Sequence, residues 1–524
     1  MKNFKRVFGL ILLISGVFLL ASCGKKEETK REKNEQGYYE GSIEVIIVDL
    51  GYGSEWLEKV VTEYEDIYPG AKVNIEKSHS ADGTKAIIKS TANTSDIVVS
   101  TGSLAFEEKN GYLVDLSQVL NSKPEGETKT IGEKMTPSFK EYFTNDKGEI
   151  YQMPWQVGYT GIAYNNDSLN TLLGEGTWSL PRTTNELFEF GDKIKAAGGY
   201  PFSVTTSQSY WELISYTWWA QYEGIENYNN FWYGKYDNNG TIELANTDEK
   251  FETLLAQKGR IRMYEVLERI MKPANGYVHK NADSMSYLES QIAFLGLGYG
   301  EDKKKAPMLV VGDWIYNEMI STIQRPEADS DIRFMAAPVI SSIVETLEDK
   351  NMSDETLRNV IDAVDRGETS YPSVSEKDFN KIKQARKMAN VTGESHVIGV
   401  PKIKSGAQKH ELINQFLTFL FSNYAQEICV QNNRGLAMPY GFDTTTLTNL
   451  TPFAKSVNEL TGDSEFIVVT RNRLSPLVYG ASFMPLLGYA EGAFFTSGDT
   501  PQAVMNRLNE IARNSKGQIM PLIK

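Results

Sequence analysis

The chain has 524 residues, a formal net charge of −14 and 41% hydrophobic side chains. This length predicts two domains or more, with enough apolar residues for large cores. Nucleic-acid binding requires a broad basic surface, so this acidic composition excludes DNA and RNA as expected partners.

The first 22 residues have the organisation of an export signal. Residues 1–6 carry three basic side chains and no acid, and residues 7–20 are almost wholly apolar. This apolar run is shorter than the roughly 20 residues that a membrane span needs. A signal peptide over residues 1–22 is therefore predicted.

The cysteine that follows this signal indicates a lipid anchor. Leu20-Ala21-Ser22-Cys23 resembles the bacterial lipobox, whose cysteine is acylated and becomes the first residue of the mature protein. Stable anchoring needs two or more acyl chains, because one chain binds a bilayer only marginally. Residues 24–37 are nearly all polar or charged and predict a disordered tether, so we assign 23–39 to the lipidated tether. The expected location is the outer face of the cell membrane.

Motifs for catalysis or cofactor binding are missing from the sequence. The four histidines lack zinc-site spacing, and neither a nucleophile elbow nor a phosphate loop is found. We therefore predict no catalytic residue, no metal and no cofactor. If Cys23 is acylated as predicted, Cys429 has no disulfide partner, and it is expected in a core. Asn238-Asn239-Gly240 predicts a hairpin turn.

The first part of the mature chain predicts alternating strands and helices. Ile43–Leu50, Lys72–Glu76 and Asp96–Ser100 have the composition of strands, and apolar residues at helical spacing separate the first two. This order predicts a mostly parallel sheet with helices on both faces. Ligands bind outside the carboxyl ends of such strands, which places Tyr52 and Asp82 near a cleft edge.

Several longer blocks resemble a known family. "SDIVVSTGSLAFEEKNGYLVDLSQVL", "IYQMPWQVGYTGIAYNNDSL", "APMLVVGDWIYNEM", "IRFMAAPVI" and "RGLAMPYG" occur in that order. They resemble the extracellular solute-binding proteins of sugar ABC transporters, the group that contains maltose-binding protein. The resemblance covers most of residues 42–524. It implies an α/β, two-lobe periplasmic-binding-protein-like fold, in which each lobe is a mostly parallel sheet flanked by helices and the chain crosses the hinge several times.

The resemblance also implies where the chain passes between lobes. We expect crossings near Trp155–Thr160, Ala336–Val339 and Arg434–Pro439. The stretch between the last two is longer than the family pattern and predicts a helical insertion at about 341–395. The resulting division is lobe 1 at 40–157 and 339–434, and lobe 2 at 158–338 and 435–524.

The implied function is capture of a solute. The resemblance predicts a monomeric, membrane-anchored binding protein, not an enzyme, that holds a carbohydrate between its lobes. The expected ligand is an oligosaccharide, and the expected partners are the permease subunits of an ABC importer. Two alternatives remain open: a peptide or another small solute as the ligand, and a cell-surface enzyme that acts on a polysaccharide.

Aromatic side chains are the first candidates for ligand binding, because flat rings stack on the apolar faces of sugars. Trp314 matches a family position where tryptophan often stacks on sugar. Trp211 and Trp218 share one helical face, which serves either the cleft or a core. Trp155, at the first crossing, is expected either in the cleft or in hinge packing.

Polar candidates complete the predicted site. Asp313 binds sugar hydroxyls or caps the helix that follows it. Arg434 contacts the ligand or ties the lobes together. Tyr52 and Asp82 lie in loops after predicted strands.

Overall fold

The computed structural model describes residues 33–145, 147–206, 210–402, 407–434, 438–443, 447, 450–469, 476–479 and 492–524. The predicted signal peptide, Cys23 and most of the predicted tether lie outside these residues. Within the described part of the chain, no helix has the length and apolarity to cross a membrane. The last residues assigned to the tether contact the folded body, because Tyr39 and Gln415 exchange two hydrogen bonds.

Lobe 1 is the body around a five-stranded sheet. Its strands are β1 (Gly41–Val48), β2 (Ala71–Ser78), β3 (Ile97–Ser100), β4 (Met153–Pro154) and β11 (Val397–Gly399). They are arranged in the order β2-β1-β3-β11-β4, with β1–β2 and β1–β3 parallel and the other two pairs antiparallel. Its helices are Glu55–Ile67, Ala81–Ile88, Ala105–Lys109, Ser117–Leu120, Ile131–Lys134, Pro137–Phe143, Ala407–Leu420 and Asn423–Asn432.

Lobe 2 is the body around a second sheet, of order β12-β10-β5-β8, with β9 also paired to β5. Its strands are β5 (Tyr159–Asn165), β8 (Met308–Gly312), β9 (Ile332–Phe334), β10 (Met388–Val391) and β12 (Phe466–Val469). The hairpin β6 (Lys235–Asn238) and β7 (Thr241–Leu244) confirms the predicted turn, since Asn239 and Gly240 both have positive φ. The helices are Asn166–Leu173, Thr184–Ala196, Trp211–Glu223, Ile225–Trp232, Asp248–Leu255, Lys258–Met271, Tyr287–Ile292, Ile315–Glu318, Ile320–Ile323, Asp354–Asp365, Glu376–Arg386, Pro452–Asp463, Pro476–Tyr479, Pro501–Asn514 and Lys516–Ile519.

The central strands β5, β8 and β10 of the second sheet are buried on both faces. In β8, Met308 and Val310 belong to one apolar cluster, while Leu309 and Val311 belong to the other. Alternate side chains of a strand point to opposite faces, so this pattern shows that the second sheet lies between two cores. The two-lobe α/β fold is therefore confirmed. Both sheets are nevertheless mixed rather than mostly parallel. Two of the four pairings in the first sheet are antiparallel, and β5 runs antiparallel to β8, β9 and β10 in the second.

Strand pairing corrects two of the expected lobe boundaries. β10 pairs with β5 and β12, so the chain stays in lobe 2 well beyond residue 339 and crosses at residues 392–396. The helices Asp354–Asp365 and Glu376–Arg386 occupy the predicted helical stretch. The chain also remains in lobe 1 beyond Arg434, because Tyr440 pairs with Met135. Sequence patterns locate strands but not their pairing partners, which explains both differences.

Candidate functional site

A cavity of about 300 Å³ lies between the two lobes. Lobe 1 contributes the loops after β1 and β3, and lobe 2 contributes the start of the helix Trp211–Glu223 and the segment after β8. The connection from β10 to β11 closes the cavity on its third side. The lining residues are Leu50, Gly51, Tyr52, Thr101, Tyr210, Glu212, Leu213, Trp314, Glu318, Thr392, Glu394, Ser395 and His396. This volume is at the lower end of the range for small-ligand sites.

Trp314 is a large aromatic side chain that remains partly open to this cavity. Its ring makes edge contacts with Tyr52 at 6.2 Å and with Tyr210 at 5.4 Å between centroids. The ring lies against the backbone of Gly312, where an added Cβ would approach Trp314 Cζ3 to 2.0 Å. The glycine therefore permits this orientation, and two tyrosines hold the ring from its edges.

Asp313 joins the two lobes below the cavity. Its side chain is fully buried, and the Tyr52 hydroxyl from lobe 1 donates a hydrogen bond to Oδ1. The Tyr159 N–H donates to Oδ2 at 2.9 Å. Burial raises the pKa of Asp313 to about 7, although both hydrogen bonds oppose this shift. Asp313 thus acts as a bridge between lobes and lies beneath the lining residues.

The hydrogen-bonding direction of His396 follows from its surroundings. Nδ1 lies 2.9 Å from the Thr392 carbonyl oxygen, which can only accept, so Nδ1 carries the proton. Burial lowers the pKa of His396 to about 4, which keeps the ring neutral near pH 7. Its Nε2 has no hydrogen-bond partner among the described residues and, with the proton on Nδ1, can act as an acceptor.

Glu318 is an exposed carboxylate on the lobe 2 side of the cavity. The Tyr287 hydroxyl donates to Oε2 at 3.1 Å, and Gln291 Nε2 donates to the same oxygen at 3.2 Å. These two bonds orient the group and leave Oε1 available as an acceptor.

A family model that includes most of the lining residues gives the family assignment. Residues 50–343 match the family model described as bacterial extracellular solute-binding protein, and this stretch is more than half of the chain. The chain belongs to this family. The resemblance that the sequence blocks indicated is thus confirmed.

Solved structures of similar shape cover this solute-binding protein almost completely. A chitin oligosaccharide binding protein aligns with a TM-score of 0.59 and 16% identity, over 91% of this chain and 99% of its own. RafE in complex with raffinose aligns with a TM-score of 0.57 and 16% identity, over 92% of this chain and 100% of its own. Maltose-bound MalE3 of T. maritima aligns with a TM-score of 0.55 and 15% identity, over 91% of this chain and 99% of its own. At these identities the likeness establishes the fold.

A curated relative matches a shorter region. The sn-glycerol-3-phosphate-binding periplasmic protein UgpB of Brucella abortus (strain 2308) is 30% identical over 147 residues, which is 28% of this chain. The match spans 27% of that relative's own length.

Three of the four predicted tryptophans of the solute-binding protein lie in cores. Trp155 stacks on Trp56 at 5.0 Å and donates from Nε1 to the Ser100 carbonyl, directly beneath the cavity wall. Trp211 packs on Phe202, and Trp218 donates to the Pro338 carbonyl; both are almost fully buried. Each of these residues was predicted either to line the cleft or to pack in the interior, and these contacts match interior packing.

Of the predicted polar residues, two belong to the cavity or its support and two lie elsewhere. Tyr52 lines the cavity and Asp313 supports it, whereas Asp82 is an exposed residue in the first turn of the helix Ala81–Ile88. Arg434 has a left-handed backbone and lies near Tyr316; burial raises the pKa of Tyr316, and the charge of Arg434 partly opposes this shift. Neither Asp82 nor Arg434 is among the residues that line the cavity.

Several lining residues were not predicted. Tyr210 and Glu212 flank Trp211. Their place at the start of a helix, next to an aromatic run, was the sequence signal that could have identified them. Thr101 follows β3, as Tyr52 follows β1, so the rule of strand carboxyl ends applied to it equally. For Glu318 and His396 no local pattern was available. Within the described ranges, no group of three His, Cys, Asp or Glu side chains is arranged to hold a metal ion.

Proposed function

We propose that this protein is the lipid-anchored capture subunit of an ABC importer and that it binds a carbohydrate between its lobes. The observation that supports the ligand class is the cavity itself. A half-buried tryptophan, which contacts two tyrosines, shares the cavity with a carboxylate and an imidazole that are both able to accept hydrogen bonds. Aromatic rings fit the apolar faces of sugars, and acceptors fit their hydroxyl rims.

The proposed anchor and the proposed ligand agree in location. Acylation of Cys23 would keep the body at the outer membrane surface, where an importer collects solute. Proteins of similar fold include ones described with raffinose, maltose and chitin oligosaccharide, which adds support for an oligosaccharide. The permease then receives the ligand from the closed form.

Capture is proposed to couple to lobe closure. The lobes touch through Tyr52–Asp313 and through Asn317 Nδ2, which donates to Asn433 Oδ1 at 2.9 Å. A ligand that contacts both lobes stabilises the closed arrangement by its differential affinity for that arrangement. Small-angle scattering should therefore show a smaller radius of gyration at saturating ligand, and an unchanged radius would contradict closure.

A ligand screen tests the proposed function directly. We expect raffinose, maltotriose or chitotriose to raise the melting temperature, since about 100 Kd of ligand stabilises a protein by about 2.7 kcal/mol. Calorimetry then gives the affinity of each hit. If short peptides or sn-glycerol-3-phosphate raise the melting temperature and no carbohydrate does, the proposal is wrong.

Catalysis is a second candidate, because three carboxylates line the cavity: Glu212, Glu318 and Glu394. Glycoside hydrolases use such carboxylates in pairs, one on each side of the bond that breaks. Prolonged incubation with chitotriose or maltotriose, followed by mass spectrometry, separates the two functions. Shortened products that disappear in Glu318→Gln would favour an enzyme; intact sugar favours capture.

A further inference from the structure

His396 lies at the end of the connection from β10 to β11, which crosses between the lobes at the cavity. This connection runs beside the one from β4 to β5. The Thr392 N–H donates to the Gly158 carbonyl at 2.8 Å, and the Trp155 N–H donates to the His396 carbonyl at 2.9 Å. A Cβ added at Gly158 would approach Thr392 Oγ1 to 2.5 Å, so the glycine allows the close packing. The backbone that carries His396 is therefore fixed at both ends of the connection.

The imidazole ring is also held in one orientation. Its Nδ1 donates to the Thr392 carbonyl at 2.9 Å, a bond that joins the first and last residues of the connection. The ring makes edge contacts with Tyr52 at 4.9 Å and with Trp155 at 5.5 Å between centroids. These contacts fix both the tautomer and the direction of the opposite nitrogen, Nε2.

Nε2 is the polar atom that this arrangement leaves for a ligand. His396 is only 7% exposed, yet it is one of the residues that line the cavity. Burial lowers the pKa of the ring, so it stays neutral near pH 7 and Nε2 keeps its lone pair. A buried acceptor without a partner is costly, and a donor from a bound molecule would remove that cost.

We propose that His396 is a specificity-determining residue of the cleft, whose Nε2 accepts a hydrogen bond from a hydroxyl of the ligand. This inference rests on the proposed function and names one contact by which a carbohydrate is recognised. His396 acts by touching the ligand, whereas the Thr392 carbonyl positions it by holding the proton on Nδ1. A sugar that fills the cavity without a hydroxyl at this atom leaves the acceptor unsatisfied and binds more weakly.

Two substitutions separate the two nitrogen atoms of the ring. His396→Asn keeps an amide donor near the position of Nδ1 but has no acceptor near that of Nε2, whereas His396→Gln can place an amide oxygen there. Calorimetry would use whichever of raffinose, maltotriose and chitotriose binds most tightly. His396→Asn should lose at least about fivefold in affinity per folded molecule, and His396→Gln should recover part of that loss. His410→Asn, on the helix Ala407–Leu420 and outside the cavity, should bind as the wild type does.

The outcomes distinguish this inference from the proposed function. A glycan that binds His396→Asn within about threefold of the wild type would overturn the inference and leave carbohydrate capture intact. A loss in His396→Gln that equals or exceeds the loss in His396→Asn would also overturn it, because the ring would then serve packing alone.

A chemical probe tests the access to Nε2 without any carbohydrate, and it decides the inference if no glycan of the panel binds. Diethyl pyrocarbonate modifies a ring nitrogen that carries a lone pair, and mass spectrometry of peptides gives the rate at each histidine. His279 is the matched reference, because it is 5% exposed, does not line the cavity, and its Nδ1 already accepts from the Asn281 N–H at 3.2 Å. His396 should react faster than His279, and a bound glycan should slow it. An equal or slower rate in the free protein would overturn the proposal.

Discussion

Replacement of Trp314 by Ala should weaken carbohydrate binding far more than it weakens folding. The ring is partly open to the cavity, and its packing consists of edge contacts to Tyr52 and Tyr210. Two such aromatic pairs contribute about 1–3 kcal/mol together. Removal of an aromatic anchor from the centre of a binding site typically costs about 2 kcal/mol or more, which is roughly thirtyfold in affinity.

Trp155→Ala is the matched comparison within the same protein. Trp155 is fully buried, stacks on Trp56 and satisfies the Ser100 carbonyl, so its loss should cost about 3–5 kcal/mol of folding free energy. Binding per folded molecule should change little. Trp218→Ala should behave in the same way, because Trp218 is also fully buried.

Urea denaturation and calorimetric affinity, measured on each variant, separate the two effects. The ligand is the carbohydrate with the largest shift in the thermal screen. If Trp314→Ala leaves the dissociation constant within about threefold, the aromatic platform is elsewhere. The same conclusion follows if Trp155→Ala loses more affinity per folded molecule than Trp314→Ala does.

Four other substitutions have defined outcomes. The pKa of Asp313 is raised to about 7 from 3.8 in the folded protein, so the stability that this residue contributes is lost as pH rises through that window. The pKa of His396 is lowered to about 4 from 6.5, so the stability that this residue contributes is lost as pH falls through its window. Between pH 4.5 and 6.5, Asp313→Asn should thus make the free energy of unfolding rise more steeply with pH, by up to about 1.4 kcal/mol per pH unit, and His396→Asn should make it rise less steeply. Urea titrations check both variants. Plots of unfolding free energy against pH that run parallel for variant and wild type would contradict the assignment. Gly312→Ala should displace the Trp314 ring and weaken ligand binding, at a stability cost of about 1–3 kcal/mol, and wild-type affinity would show that the ring position does not matter. Cys23→Ala should abolish fatty-acid labelling and release the protein from membranes; continued labelling would disprove the lipobox.

Local patterns accounted for those parts of the fold that depend on neighbours in the chain. The strands β1, β2 and β3 and the hairpin turn at Asn239-Gly240 lie where strand-like composition and turn residues predicted them. Pairing between distant strands has no comparable signal. The assignment of β10 to lobe 2 depends on hydrogen bonds to residues more than 70 positions away on one side and more than 200 on the other.

The candidate site shows the same division. Trp314 and Tyr52 were predicted because one matches a family position and the other follows a strand, and both line the cavity. Trp211 and Trp218 carry the same chemistry in the sequence, yet the helix that bears them packs on all sides. Composition predicts an aromatic helix but cannot distinguish a buried face from a cleft face.

The sequence by itself predicted the export signal and the lipobox, and it determined the family and the order of α/β elements, because each of these depends on residue type within a short window or on block order. Only the tertiary structure showed that Tyr52 and Asp313, 261 positions apart, form a hydrogen bond between lobes. It also placed His396 and Glu318 at one cavity and showed which of their atoms accept. Those properties arise from burial and from partners distant in the chain, which no local pattern encodes.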